Sequence, residues 1–183
     1  MRAILFLTCA ISVSAAAAPL PRGSFTKPCS SFEEDDFLIS KLDLRDGAWR
    51  RVRTAFEESS CTTPWIEYRE VARVKRFQGS DLDLELVEAS YVPLSGEVAE
   101  ALNISHFCGK ADWKAGIAMP VTGLTCDDFR VPKLNAPVYA ALRIEGDRAL
   151  RLGEDSGPRD GSRPDLRPDK WEENPYLLDT IRE

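Results

Sequence analysis

The sequence predicts an all-β domain with one short helix, built as an antiparallel barrel, and three observations carry that reading. Apolar and polar residues alternate with period two over several short runs. Turn dipeptides such as Asp46-Gly47 and Gly146-Asp147 separate those runs. Four of the five cysteines, Cys29, Cys61, Cys108 and Cys126, lie where two disulfides would staple a domain of this size.

Export accounts for the fifth. Met1-Arg2, an apolar run from Ala3 to Val13 and the small-residue stretch ending at Ala18 read as a cleavable signal peptide over residues 1–18. The run is too short to span a bilayer, which takes about 20 residues, and Cys9 leaves with it. No later stretch is apolar enough to anchor in a membrane, so the expected location is secreted or periplasmic. An oxidising compartment makes disulfides the expected use of the remaining cysteines. Metal is the rival use, but no pair has C-x-x-C spacing and His106 is the single histidine. Three connectivities are open, of which Cys29–Cys61 with Cys108–Cys126 is the simplest.

The formal net charge is −6, and losing Arg2 with the signal peptide makes the mature chain one unit more acidic. That balance argues against nucleic acid or an anionic membrane surface as partner. The expected layout is a polar lead-in at 19–28, a barrel-like domain at 29–153 and a polar, proline-rich arm at 154–183 packing on it.

The elements follow in order. The acidic run Glu33-Glu34-Asp35-Asp36 reads as a solvated turn, since the spacing of a calcium loop is missing. From Phe37, Leu38, Leu42 and Leu44 fall on one face, with Ser40 between them. Trp49 to Phe56 follows the Asp46-Gly47 turn, with Arg51 and Arg53 alternating against Val52 and Phe56. Trp65 to Phe77 is a long strand with Ile66, Tyr68, Ala72 and Val74 on one face. After Gly79-Ser80-Asp81, Leu82, Leu84 and Leu86 alternate with Asp83 and Glu85, the cleanest half-buried strand. Ser95 is the N-cap of a short helix, Glu97 sits in its first turn and Asn103 ends it. Strands are expected again at Trp113–Met119, Val138–Ile144 and Ala149–Leu152.

Little here points to an enzyme. His106 sits in a loop two residues before Cys108, and no G-x-S-x-G turn accompanies it. No glycine loop would cradle a phosphate, and no cofactor or metal is expected. Asn103-Ile104-Ser105 is an N-glycosylation acceptor pattern, meaningful in a eukaryotic host. Gly47-Ala48-Trp49 has the G-x-W form of the first lipocalin strand, where a tryptophan closes the barrel base.

Several blocks, in order, carry a wider resemblance. Phe37-Leu38-Ile39 follows the first cysteine, and Trp49 precedes Cys61-Thr62-Thr63-Pro64, which leads into a strand bearing Tyr68. Val87–Leu94 ends ahead of the helix, and Cys108-Gly109, Trp113, Gly116-Ile117 and Cys126 come next. Asp160-Gly161-Ser162-Arg163-Pro164-Asp165-Leu166-Arg167-Pro168 matches a polar D-G-S-x-P-D-R-P tail. The stretch from Cys29 to Leu178 resembles one domain of the adenomatosis polyposis coli down-regulated family, extracellular inhibitors of Wnt signalling.

The resemblance implies the pairs Cys29–Cys61 and Cys108–Cys126 and a barrel with an apolar pocket suited to an acyl chain. Animal members carry two such domains and a membrane anchor, whereas a single domain without an anchor is read here. Fold and lipid binding therefore carry over, rather than the signalling role. The expected function is to bind an apolar ligand, a fatty-acyl chain or an acylated protein. Trp65, Tyr68, Leu84, Leu86, Ile117, Met119, Tyr139 and Leu142 are the candidate lining residues. The alternative is a structural or protein-interaction domain of the cell envelope with a filled barrel.

Overall fold

The structure is a computed structural model and describes residues 19–31, 36–154 and 159–179. The expected signal peptide, Glu33, Glu34 and Asp35 of the acidic run, and Pro158 of the arm lie outside the described residues.

Turn chemistry and alternation together produce the first five strands: β1 (Gly23–Ser31), β2 (Phe37–Arg45), β3 (Ala48–Phe56), β4 (Pro64–Gln78) and β5 (Asp81–Pro93). Each pairs antiparallel with the next. At the β2–β3 turn Asp46 and Gly47 have φ of 52° and 72°, the two left-handed central residues of a tight hairpin. The α-helix α1 (Gly96–Ile104) starts where Ser95 Oγ accepts a hydrogen bond from the Val98 N–H at 3.1 Å. Two-residue strands follow: β6 (Met119–Pro120), β7 (Thr125–Cys126) and β8 (Phe129–Arg130), the last two paired with each other. Then come β9 (Pro137–Glu145), β10 (Ala149–Leu152) and β11 (Tyr176–Leu178).

β5 pairs with β9, β9 with β10, β10 with β11 and β11 with β1. Because β4 also pairs with β5, eight of these strands close into an antiparallel barrel. Closure removes the open sheet edge that such strands would otherwise present. Cys29 joins Cys61 and Cys108 joins Cys126, with Cα separations of 6.1 and 4.1 Å. The first ties β1 to the β3–β4 connection. The second ties the turn after α1 to β7.

β4 and β5 are long enough to serve two cores. Near the β4–β5 turn, Leu82 and Leu84 pack with Leu42, Leu44, Trp49, Leu142, Leu150, Leu152 and Tyr176, all 3 % exposed or less. Outward from the same strand, Asp83 meets Arg76 and Arg167, and Glu85 meets Arg73 and Lys75. Further along, Ile66, Tyr68, Leu86 and Ala89 pack with Leu102, Trp113, Val121 and Val131 under α1 and the disulfide-bonded loop. Val87 is an extra residue on β5 between the two cores, and Lys75 is one on β4 beside the basal core, so each strand bulges once.

The wall uses residues on both sides of the expected 29–153 boundaries. The lead-in supplies most of β1, because Gly23, Phe25 and Lys27 continue the lumen face of β2. The arm supplies β11, which fills the gap between β1 and β10. Its polar tail is fitted closely: a Cβ on Gly161 would lie 2.7 Å from the Tyr139 carbonyl oxygen, and one on Gly153 would lie 2.6 Å from Pro168. Arg167 donates to the Leu82 and Ala140 carbonyls and to the Asp83 carboxylate.

The strand expected over Trp113–Met119 is a loop, with only Met119 entering β6. The backbone of Trp113 is taken by a side chain instead of a strand. Its N–H donates to Asn103 Oδ1 at 2.7 Å, and its carbonyl accepts from Asn103 Nδ2 at 3.1 Å. Gly116 then turns with φ of 71° and donates to the Pro93 carbonyl. The spacing that resembled a strand belongs to a cap loop that buries Trp113 and leaves Ile117 exposed.

Candidate functional site

Three rows of lumen-facing side chains lead from the base of the barrel to its mouth, set by strand register. The basal row runs Gly23, Leu44, Trp49, Ala72, Leu86 and is apolar. Trp49 closes this end, and its indole N–H reaches up to Glu70 Oε1 at 3.1 Å. The middle row runs Phe25, Leu42, Arg51, Glu70, Ala89. The upper row runs Lys27, Ser40, Arg53, Tyr68, Tyr91.

Charge enters the lumen in the middle row. Arg51 Nη2 donates to Glu70 Oε2 at 3.1 Å, with side chains 10 % and 11 % exposed. Burial alone would raise the Glu70 pKa. Arg51 and Arg53, with the hydrogen bonds from Arg51 and Trp49, outweigh it and hold the carboxyl below its ordinary range. Both Glu70 oxygens are thereby occupied.

The upper row is cationic and aromatic. Lys27 Nζ pairs with Glu172 at 2.9 Å, fastening β1 to the arm ahead of β11. Arg53 lies over the Tyr68 ring, 4.8 Å from its centroid. Tyr68 is 5 % exposed, and burial pushes its pKa well above the ordinary phenol value. Burial also raises Tyr91, and it raises Tyr176, whose hydroxyl is hydrogen-bonded to Ser40. All three phenols stay protonated at neutral pH.

From this row an aromatic run leads outward through the cap. Tyr68 contacts Tyr91 at a centroid distance of 4.9 Å, Tyr91 contacts Phe107 at 5.2 Å and Phe107 contacts Trp113 at 5.8 Å. Phe129, on β8, meets the edge of Tyr68 at 6.2 Å and is 45 % exposed. The indole N–H groups of Trp65 and Trp113 are buried without an acceptor among the described residues.

The eight expected lining residues fall into separate groups. Leu84 and Leu142 belong to the basal core. Tyr68 and Leu86 belong to the upper core, with Trp65 and Met119 packed against it. Tyr139 lies under the tail, where Arg167 stacks on its ring at 5.5 Å. Ile117 is 59 % exposed on the cap loop. Of the eight, Tyr68 alone stands on the upper row of the lumen.

Lys27, Arg51, Arg53, Glu70, Tyr91 and Phe107 escaped sequence reasoning. The signal was present in the alternation, since Arg51 and Arg53 share the phase of Trp49, and Glu70 shares that of Tyr68.

Two open depressions of about 350 and 360 Å³ lie elsewhere. One is beside Leu20 and Gly47 at the base, the other beside Pro28 and Leu178 on the wall. His106 is exposed at the turn after α1, and Asn103 spends its amide on Trp113. Among the described residues no group of His, Cys, Asp or Glu is placed to hold a metal, and no helix is long and apolar enough to cross a membrane. No family model and no curated protein matches the chain.

Proposed function

We propose that this chain is an exported binding module for an apolar ligand, a fatty-acyl chain or the acyl group of a lipid-modified protein. The ligand enters at the mouth and not at the base. One observation carries the reading: the aromatic run from the half-exposed Phe129 through Tyr68, Tyr91 and Phe107 to the buried Trp113. Aromatic faces offer a large apolar contact at low conformational cost, and Tyr91 and Phe107 are only partly covered. The signal-peptide pattern, the two disulfides and the motif resemblance to the Wnt-inhibitor family point the same way. A secreted or periplasmic location follows from the first two.

Native mass spectrometry before and after delipidation, with uptake of a fluorescent fatty acid, tests the reading. A removable lipid adduct and saturable uptake are expected, with uptake reduced about ten-fold in a Tyr91→Ala, Phe107→Ala variant. No adduct and no uptake by the folded, disulfide-bonded chain would refute it.

The second reading, a protein-interaction domain with a filled barrel, has its own support. Leu42, Leu44, Trp49, Leu82, Leu142 and Leu150 are 1 % exposed or less and fill the base. Barrels of eight strands are narrow enough for side chains alone to fill them. Under this reading the exposed Phe129 and Ile117 meet a partner protein, and no fatty acid binds.

A further inference from the structure

Among the described lumen residues, Arg53 is a cation without a hydrogen-bonded acceptor. Glu70 accepts from Arg51 and Trp49 and also feels the charge of Arg53, and Glu172 is engaged by Lys27. Arg53 stands in the same layer, partly buried, with no hydrogen-bonded acceptor and no ion pair among the described residues. Among the described residues, Asp127, exposed at the β7–β8 turn, is a further carboxylate acting on this row, through Tyr91. Directly across the β3–β4 ladder from Arg53 lies Tyr68, which is 95 % covered yet whose hydroxyl makes no hydrogen bond among the described residues. A guanidinium and a phenol thus stand side by side on adjacent strands, and neither is among the buried polar atoms that lack a partner, so both remain open to an incoming acceptor. A charged acceptor bound there would replace water with a charge-assisted hydrogen bond, the stronger kind.

We propose that Arg53 and Tyr68 seat the single negative charge of an amphiphilic ligand, a free carboxylate, beside the aromatic run that holds its chain. The inference rests on the reading of the chain as an apolar-ligand module and narrows it. The preferred ligand is a free long-chain acid, not an ester-linked acyl group. A planar carboxylate matches the guanidinium fork and takes a further hydrogen bond from the Tyr68 hydroxyl. A neutral head would leave Arg53 as it stands.

Isothermal titration of the full mature chain with dodecanoate and with dodecanol separates the two levels of the argument. Wild type is expected to bind dodecanoate at least about ten-fold more tightly than dodecanol, as a charge-assisted bond to a partly desolvated head requires. Arg53→Gln abolishes that preference without changing dodecanol affinity, Arg53→Lys keeps part of it, and Tyr68→Phe, which keeps the ring, reduces it about three-fold. Equal affinity of wild type for acid and alcohol would overturn the carboxylate seat and leave the apolar-ligand reading standing. So would a preference that survives Arg53→Gln. Absence of binding by both probes would overturn both. Because the acid–alcohol comparison is made on wild type, a misfolded variant cannot mask the answer.

Discussion

Among the described residues, Glu70 and Arg51 form a strongly covered ion pair in the lumen, with both side chains about one-tenth exposed. Removing one partner of such a pair leaves the other charged in a poorly solvated place. Glu70→Gln is therefore expected to cost about 3 kcal/mol at neutral pH, read from chemical denaturation. The Glu70 carboxyl ionises more readily folded than unfolded, so its contribution is complete above its ordinary value of 4.5. It is lost as pH falls through the depressed folded value. The gap between wild type and Glu70→Gln should accordingly narrow below about pH 4.5. A gap constant from pH 7 down to pH 3 would show that the charge is not what Glu70 contributes. Asn103 offers a second test at this scale. Its amide satisfies both backbone groups of Trp113, so Asn103→Ala should destabilise by about 2 kcal/mol, the cost of leaving buried backbone groups unmet.

At the scale of elements, the tail closes the barrel. β11 is three residues long yet bridges β1 and β10, and Gly161, Arg167 and Pro168 dock the segment before it. Gly161 has φ of 68° and abuts Tyr139, whereas Gly47 has open space around it. Gly161→Ala should lower the melting temperature clearly more than Gly47→Ala, since only the first adds a clash to the backbone strain. Equal effects would mean that the tail is not tightly seated.

The same scale shows what was legible beforehand. The hairpins at Asp46-Gly47 and Gly146-Asp147 and the Leu82–Leu86 strand were readable because turn chemistry and alternation are local. β11 was not, because three residues in a proline-rich arm become a strand only by slotting between β10 and a β1 that lies more than a hundred residues away. Trp113–Met119 misled for the opposite reason. Its alternation is real, but a side chain of α1 captures the backbone that a strand would have used. The lumen charges were hidden by the rule that charged residues face water. Arg51 and Glu70 escape that rule by satisfying each other.

As a whole, the molecule is a barrel packed at one end and differentiated at the other. The Cys108–Cys126 link holds the cap loop whose Phe107 and Trp113 extend the aromatic run. Replacing both cysteines by serine should cost about 3 kcal/mol. It should also raise hydrogen exchange in residues 107–131 before the base, where Leu82 and Leu142 are fully covered. Uniform loosening would contradict the division into two cores.

That division also sets where a ligand can sit, and tryptophan reports on it directly. Trp49 marks the base, and Trp113 marks the cap. In variants retaining only one or the other, a fatty acid brominated along its chain should quench Trp113 strongly and leave Trp49 nearly unchanged. Quenching of Trp49 in preference to Trp113 would place the ligand in the base and contradict the account.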